Sequence, residues 1–516
     1  MSHRVRLLKD AYVDSVLQMA ATRAMREVEG VEWATAAMAT PANVAVMEGE
    51  GFDLAGAGAN DCVLAARAGD DEAAEAALAA GDAALGGGAG QKAATPGATR
   101  APGSLEEAVA QLPDANLAIV SVPGDYAALE AHKALTAGLH VLLFSDNVPV
   151  EEEIELKERG SALGRLVMGP GAGTAVLGGC GLGFANAVRR GRVGVVAAAG
   201  TGAQEVMCLL DRWGSGVSAV IGVGGRDLSE AVGGRMARLA VSALREDPGT
   251  DVILLVSKPP SPEVARAVMA EAGDKPLAAA LIGLSGSIPV PSTVRLATTL
   301  EEGVLLTLEL AGEERPDLGA AGLAEAVAAA CGTLPEERRL VRGLYSGGTL
   351  CYEALVLLSG VLGPVHSNTP LRKGWDVPAP PGSHVCLDLG EEEYTKGRPH
   401  PMIDPSIRLE YLAEEGRNPA TAVVLLDVVI GYGANPDPAG ALAPVCAEVR
   451  AAGAQIVAYV LGTESDPQGL AAQQATLAEA GCLIAPTAAR AALAAAAIAT
   501  RRPELVLASA PAPATA

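Results

Sequence analysis

Aromatic residues are scarce. They make up 3% of the 516-residue chain, and only three are phenylalanine. A core drawn mainly from Ala, Val, Leu and Gly suits layered α/β packing and argues against an aromatic-rich β-sandwich. Cationic side chains are also short, 38 against 61 acidic ones, for a net charge of −23. Such a surface repels polyanions. Nucleic acid and anionic membranes are therefore not expected as partners, and any phosphate site has to be made locally. The eight cysteines form no CxxC pair. Cys62, Cys208 and Cys482 lie in apolar runs and read as buried free thiols, which points to a reduced, cytoplasmic compartment. The opening MSHRVRLLKDAYVDSV has no apolar stretch followed by a cleavage site, and the Ala-rich runs are broken by charges or glycine. Neither a secretory signal nor a transmembrane helix is expected. GAGQKAATPGATR lacks the Gly-Lys-Ser/Thr of a Walker loop.

What the chain does have is a strand–helix rhythm, in a length that suits three or four domains. VRLLK, VEWATAAMA and DCVLAARA read as strands and alternate with amphipathic helical segments, giving a small ferredoxin-like α/β unit over residues 1–85. Residues 86–103 are a Gly/Ala/Pro-rich flexible linker by composition. From 104 to 188, LAIVSVPG and HVLLFSD are buried strands separated by a helix, half of a doubly wound, Rossmann-like domain. Residues 189–335 and 336–500 each read as a flavodoxin-like unit with a parallel sheet, and 501–516 as a frayed tail.

The two flavodoxin-like units open alike. AAAGTGAQEV and YSGGTLCYEA both place Gly-Thr where an apolar strand hands over to a helix, with a glutamate in the second helical turn. Glycines there are expected to allow positive φ and close backbone approach. The first free helical N–H groups, with the positive end of the dipole behind them, can hold an oxyanion without a cationic side chain. Gly200, Thr201, Gly202 and Glu205 from one opening, with Ser346, Gly347, Gly348, Thr349 and Glu353 from the other, form the candidate phosphate and substrate site.

Residues 363–406 read as one long irregular stretch, of the kind that is often functional. It holds His366, His384 and His400, half of the six histidines. Arg372 is expected to bind an anionic substrate group. Arg398, His400 and Asp404 are the candidate catalytic set, with Asp404 orienting His400 as an acid/base for a departing nitrogen. His384, His400 and Asp404 show no diagnostic metal spacing, so no metal and no cofactor is expected. GVGGRD (Gly222–Asp227) is a strand-end turn that could flank the same anion, and Asp427 and Asn435, at the end of a buried strand, could line the site or only cap a helix.

The order of units resembles succinyl-CoA synthetase and the wider NDP-forming acyl-CoA synthetase superfamily. MGPGAGTAVLGG (Met168–Gly179), the segment Gly191–Ala231 and EDPGTDVILLVSKPPSPEVA (Glu246–Ala265) are similar to the α subunit, and residues 340–488 to the C-terminal domain of the β subunit. The resemblance implies a succinyl-CoA-ligase-type fold in which the two Gly-Thr openings are the paired "power helices". Three features depart from the pattern. KPLAAALIGLSGSIPVP stands where the phosphorylated histidine is expected, and no histidine occurs between His140 and His366. No ATP-grasp domain fits in the chain, and the Gly-rich turn of the CoA-binding half is missing.

These departures, with DLGEEEYTKGRPHPMIDPSIR (Asp388–Arg408), resemble the FdrA-type branch in particular. That resemblance implies a subunit of an oxamate carbamoyltransferase in allantoin and purine nitrogen breakdown. It would convert oxalurate and phosphate to oxamate and carbamoyl phosphate, with two further protein subunits and possible self-association. The rival readings are an acyl-CoA synthetase whose partner binds the nucleotide, and a non-catalytic scaffold.

Overall fold

The computed structural model describes residues 2–11, 13, 15–58, 60–85, 102–284, 288–396 and 398–508. The expected linker falls almost wholly outside the described residues, as does the tail beyond residue 508. Two compact units emerge: Met1–Pro102 with Thr395–Pro399, and Gly103–Tyr394 with His400–Ala516.

The N-terminal unit runs β1 (Ser2–Leu8), α1 (Ser15–Arg26), β2 (Val31–Met38), α2 (Pro41–Gly49), β3 (Cys62–Ala68) and α3 (Asp71–Ala84). β3 lies between β1 and β2 and is antiparallel to both. Its period-2 pattern sends Leu64 and Ala66 against Met25, Ala77 and Leu78 of α1 and α3, and Val63 and Ala65 against Met47, Phe52 and Leu54 on the other face. The ferredoxin-like order is present, with three strands among the described residues where a full plait has four.

In the larger unit, α4 (Leu105–Gln111) precedes β4 (Leu117–Val120), α5 (Gly124–Thr136), β5 (His140–Leu143), α6 (Val150–Leu163) and β6 (Val167–Met168). The three strands form a parallel sheet in the order β4-β5-β6. The next two strands, β7 (Thr174–Leu177) and β8 (Cys180–Gly183), form a hairpin, and β7 pairs antiparallel with β10. Residues 174–183, expected within the Rossmann-like segment 104–188, thus extend the sheet of the following segment. That sheet is mixed rather than wholly parallel.

The following segment comprises β9 (Arg190–Ala198), α7 (Gly200–Arg212), β10 (Val217–Gly222), α8 (Arg235–Glu246), β11 (Val252–Ser257), α9 (Pro262–Ala270), β12 (Leu277–Leu281), β13 (Val294–Ala297), α10 (Leu300–Leu310) and α11 (Ala320–Thr333). The last comprises β14 (Leu340–Tyr345), α12 (Gly348–Leu362), β15 (Val365–His366), β16 (His384–Asp388), α13 (Glu392–Thr395), α14 (Ser406–Arg417), β17 (Thr421–Val429), α15 (Pro438–Ala451), β18 (Gln455–Leu461), α16 (Leu470–Glu479), β19 (Leu483–Ala485) and α17 (Ala488–Thr500). Apart from the edge strands β7, β8 and β15, their strand orders are β10-β9-β11-β12-β13 and β16-β14-β17-β18-β19, which place the first strand between the next two in the chain. This is one flavodoxin-like plan used twice.

The segments 104–188, 189–335 and 336–500 lie in the second compact unit. One core cluster takes in Ala203, Val206 and Leu210 of α7, Leu350, Ala354 and Leu358 of α12, and Ala492 and Ala496 of α17. The stretch 363–406 is not wholly irregular, since β16 lies inside the sheet between β14 and β15. Nor is the start of the tail frayed: Val506 is fully buried, and Arg490 Nη1 donates to the carbonyls of Val506 and Ala508 at 2.7 and 2.9 Å.

Candidate functional site

β9 and β14 deliver α7 and α12 to a common point. Neither helix is capped by its own N-cap side chain, Ala199 or Gly347, so those first-turn amides that find no other acceptor keep their anion-binding capacity. The Thr349 amide donates to Thr201 Oγ1 at 3.2 Å. A Cβ on Gly202 would lie 2.9 Å from Thr349 Cγ2, and one on Gly347 would lie 2.8 Å from Thr201 Cγ2. Each threonine therefore packs where the other opening lacks a side chain. None of these four glycines, Gly200, Gly202, Gly347 and Gly348, has positive φ. They serve close approach, and the expected left-handed turn is absent. A Cβ on Gly200 would meet nothing within 4 Å, and Gly200 is exposed, so the mouth of α7 opens to solvent there.

Ser346 and Gly347 are already engaged. Asp427, at the end of β17 and 1% exposed, accepts from the Ser346 amide (2.8 Å), the Ser346 hydroxyl (3.1 Å) and the Gly347 amide (2.8 Å). Arg408 Nη2 lies 3.2 Å from Asp427 Oδ1 and balances its charge. These donors hold a protein carboxylate, which corrects their assignment to phosphate; the Gly200–Gly202 amides and the Gly348 end of α12 remain. Asp388, 2% exposed at the end of β16, turns Oδ2 to Gly348 while Oδ1 accepts from the Gly390 amide at 3.0 Å. Burial foremost, then Glu391, push its carboxyl up to about 7, against the pull of Lys258 just beyond β11.

His400 reaches the same place. A Cβ on Gly390 would lie 2.7 Å from His400 Nε2, 2.9 Å from the Ser346 carbonyl and 3.2 Å from Asp388 Oδ1. Burial lowers the His400 pKa to about 4, and Nδ1 accepts from the Met402 amide at 3.2 Å, so the neutral ring carries its proton on Nε2. Phe184 adjoins it, 6.4 Å from the His400 ring, and Phe144 lies 5.7 Å from Phe184.

The other residues expected in the site stand elsewhere. Asp404 Oδ1 accepts from the Ser406 amide (3.0 Å) and hydroxyl (2.7 Å) at the start of α14, so it does not orient His400. Arg372 lies over the Trp375 ring at 5.3 Å. Arg398 is counted with the N-terminal unit. Asn435 Nδ2 donates to the Ile403 carbonyl. In GVGGRD, Asp227 and Arg226 are bound into a buried ion network with Lys157 and Glu153. Asp388 and Lys258 were missed, although both stand at carboxyl ends of parallel strands, where open sheets place ligands.

Glu205 and Glu353 face the contact between the two flavodoxin-like segments. Glu205 accepts from the Tyr459 hydroxyl at 2.6 Å and from the first amide of α17, Ala488, at 3.4 Å. Glu353 accepts from the first amide of α10, Leu300, at 2.7 Å, and its other oxygen is buried with no hydrogen-bond partner among the described residues. Each opening thus sends a carboxyl to the N-terminus of the helix that follows the last strand of the other segment's sheet. Burial raises the two pKa values to about 7 and about 8. The folded state keeps protons that the unfolded chain releases above about pH 4.5, so stability falls as pH rises from there to about 8. Glu353→Gln is expected to flatten that decline, read as urea midpoints at pH 5 and pH 8.

Among the described residues no helix is long and apolar enough to cross a membrane, and no group of three His, Cys, Asp or Glu could hold a metal ion. Residues 344–498 match the family described as CoA-ligase, and residues 1–102 match AllF, heavy metal-associated domain. The uncharacterized protein YahF of Escherichia coli (strain K12) is 37% identical over 94% of this chain and 96% of its own length. The α subunit of an ADP-forming succinate–CoA ligase of Methanothermobacter thermautotrophicus is 28% identical over 30% of this chain and 52% of its own. SauD, a subunit of an ADP-forming sulfoacetate-CoA ligase of Bilophila wadsworthia, is 29% identical over 33% of this chain and 60% of its own. The chain therefore spans little more than half of each ligase subunit.

The N-terminal unit does not fit a soft-metal site. Cys62 is fully buried in β3, with burial pushing its thiol up to about 11, and Met25 and Met47 are core residues. His3 lies edge-on to Phe52 at 5.1 Å.

Proposed function

Because the chain belongs to the succinyl-CoA synthetase-like superfamily, we propose that it moves an acyl group to and from phosphate at the facing mouths of α7 and α12. Phosphate held by the free amides attacks the acyl carbon, the bond to the leaving thiol breaks, and acyl phosphate remains. Preorganised dipoles aimed at the anion favour the charged transition state. The observation that carries this reading is the hydrogen bond from the Thr349 amide to Thr201 Oγ1, which brings the two helix ends to one point. With no ATP-grasp segment in the chain, a partner would bind the nucleotide in an acyl-CoA synthetase-like reaction.

A second reading replaces the C–S bond with a C–N bond. Oxalurate and phosphate would give oxamate and carbamoyl phosphate, in a complex with two further subunits. Two observations favour it: residues 1–102 match the AllF domain, and no histidine lies between His140 and His366 to carry a phosphoryl group. The test is the chain co-purified with its partners and given phosphate with either an acyl-CoA or oxalurate. Free CoA with acyl phosphate supports the first reading, and oxamate with carbamoyl phosphate the second. Inactivity toward both, in a complex that needs the chain for assembly, supports a scaffold.

A further inference from the structure

We infer that Asp388 is the proton carrier of this site, giving a proton to the leaving nitrogen or sulfur as phosphate bonds to the acyl carbon. The inference rests on the acyl-phosphate reading above. Asp388 is held rather than merely nearby: its amide donates to Asn368 Oδ1 and its carbonyl accepts from Asn368 Nδ2, both at 2.9 Å. Oδ1 is fixed by the Gly390 amide, while Oδ2 takes no hydrogen bond among the described residues and faces the Gly348 end of α12. Asp427 cannot share the task, because both of its oxygens are taken by the Ser346 and Gly347 donors and by Arg408. Asp404 is bound to Ser406.

Asp388 is faced by Lys258 beyond β11, Asp427 on β17, Glu391 on its own loop, Cys351 on α12 and His400. Lys258 favours the carboxylate, while burial and the two acidic neighbours favour the acid, so both forms are accessible near neutral pH. When phosphate attacks, the acyl C–N or C–S bond breaks and its electron pair stays on the leaving atom. The Asp388 proton satisfies that atom, and the carboxylate is protonated again from water. Neutral His400, with its proton on Nε2, shares the surroundings of Gly390 with the carboxyl and adds no positive charge there.

Sulfate separates this inference from the reading beneath it, because it stays dianionic across the range. Its affinity for the purified chain is expected to fall about tenfold between pH 6 and pH 8.5, as Asp388 becomes a like charge beside the anion. Asp388→Asn should change less than twofold and bind more tightly at pH 8.5. Glu353→Gln, whose carboxyl faces Leu300, should keep the wild-type profile. In the active complex, Asp388→Asn should lower kcat by about a hundredfold or more and remove the limb near neutral pH. Sulfate binding that is flat with pH in the wild type overturns the Asp388 assignment alone. No sulfate binding by wild type or variant overturns the oxyanion site, and this inference with it.

Discussion

Gly200→Asp will fold normally and turn over substrate about two to three orders of magnitude more slowly, the usual cost of losing oxyanion stabilisation. A Cβ at this position meets nothing within 4 Å, so the side chain is sterically free. A carboxylate in the first helical turn also complements the dipole, which offsets any loss of stability. What it does is occupy the open mouth of α7 with a fixed negative charge. Gly200→Ala, with the same backbone cost and no charge, should stay within a few-fold of wild type. Gly348→Ala should behave differently, because its Cβ runs into the Asp388 carboxylate and the end of β16 has to shift. Thermal melts beside turnover separate the cases. A Gly200→Asp variant that melts like wild type and keeps full turnover would remove the oxyanion from this site.

Lys157→Met is expected to destabilise the larger unit by about 3–5 kcal/mol, the range for removing one partner of a buried ion pair. Lys157 is fully buried on α6, with Nζ 2.7 Å from Glu153 Oε1 and 2.8 Å from both Asp227 Oδ1 and the Val223 carbonyl. Asp227 in turn accepts from the Ala237 amide at 2.9 Å, near the start of α8. Without the ammonium, the Glu153 and Asp227 carboxylates stay buried with too few positive partners. Urea midpoints of the variant and the wild type check the size of the loss, and a loss under about 1 kcal/mol would mean that the ammonium contributes little there.

Much of the larger unit was legible because its parallel strands are short apolar runs buried on both faces, such as VILLVS and AVVLLDVV, set between helical periods. The hairpin β7–β8 was not, because TAVLGGCGLG is too rich in glycine to alternate. β16 was hidden for a different reason. HVCLD has three apolar residues between a histidine and an aspartate, and sheet pairing on both sides makes it a strand. Missing β16 meant missing Asp388 at its end. The paired Gly-Thr turns were legible as a repeat, yet their glycines were read for dihedral freedom. That they serve as flat contact surfaces depends on a residue some 150 positions away, which no local pattern encodes. Arg372 and Asp404 were chosen for charge within a loop, and each found a nearer partner, Trp375 and Ser406.

The contact between Gly202 and Thr349 and between Gly347 and Thr201 joins two halves of one continuous polypeptide. A tethered pair meets at an effective concentration fixed by the connecting chain and not by how much protein is in solution. Dilution therefore cannot part these two helix ends, and any dependence of specific activity on protein concentration would come from contacts between chains.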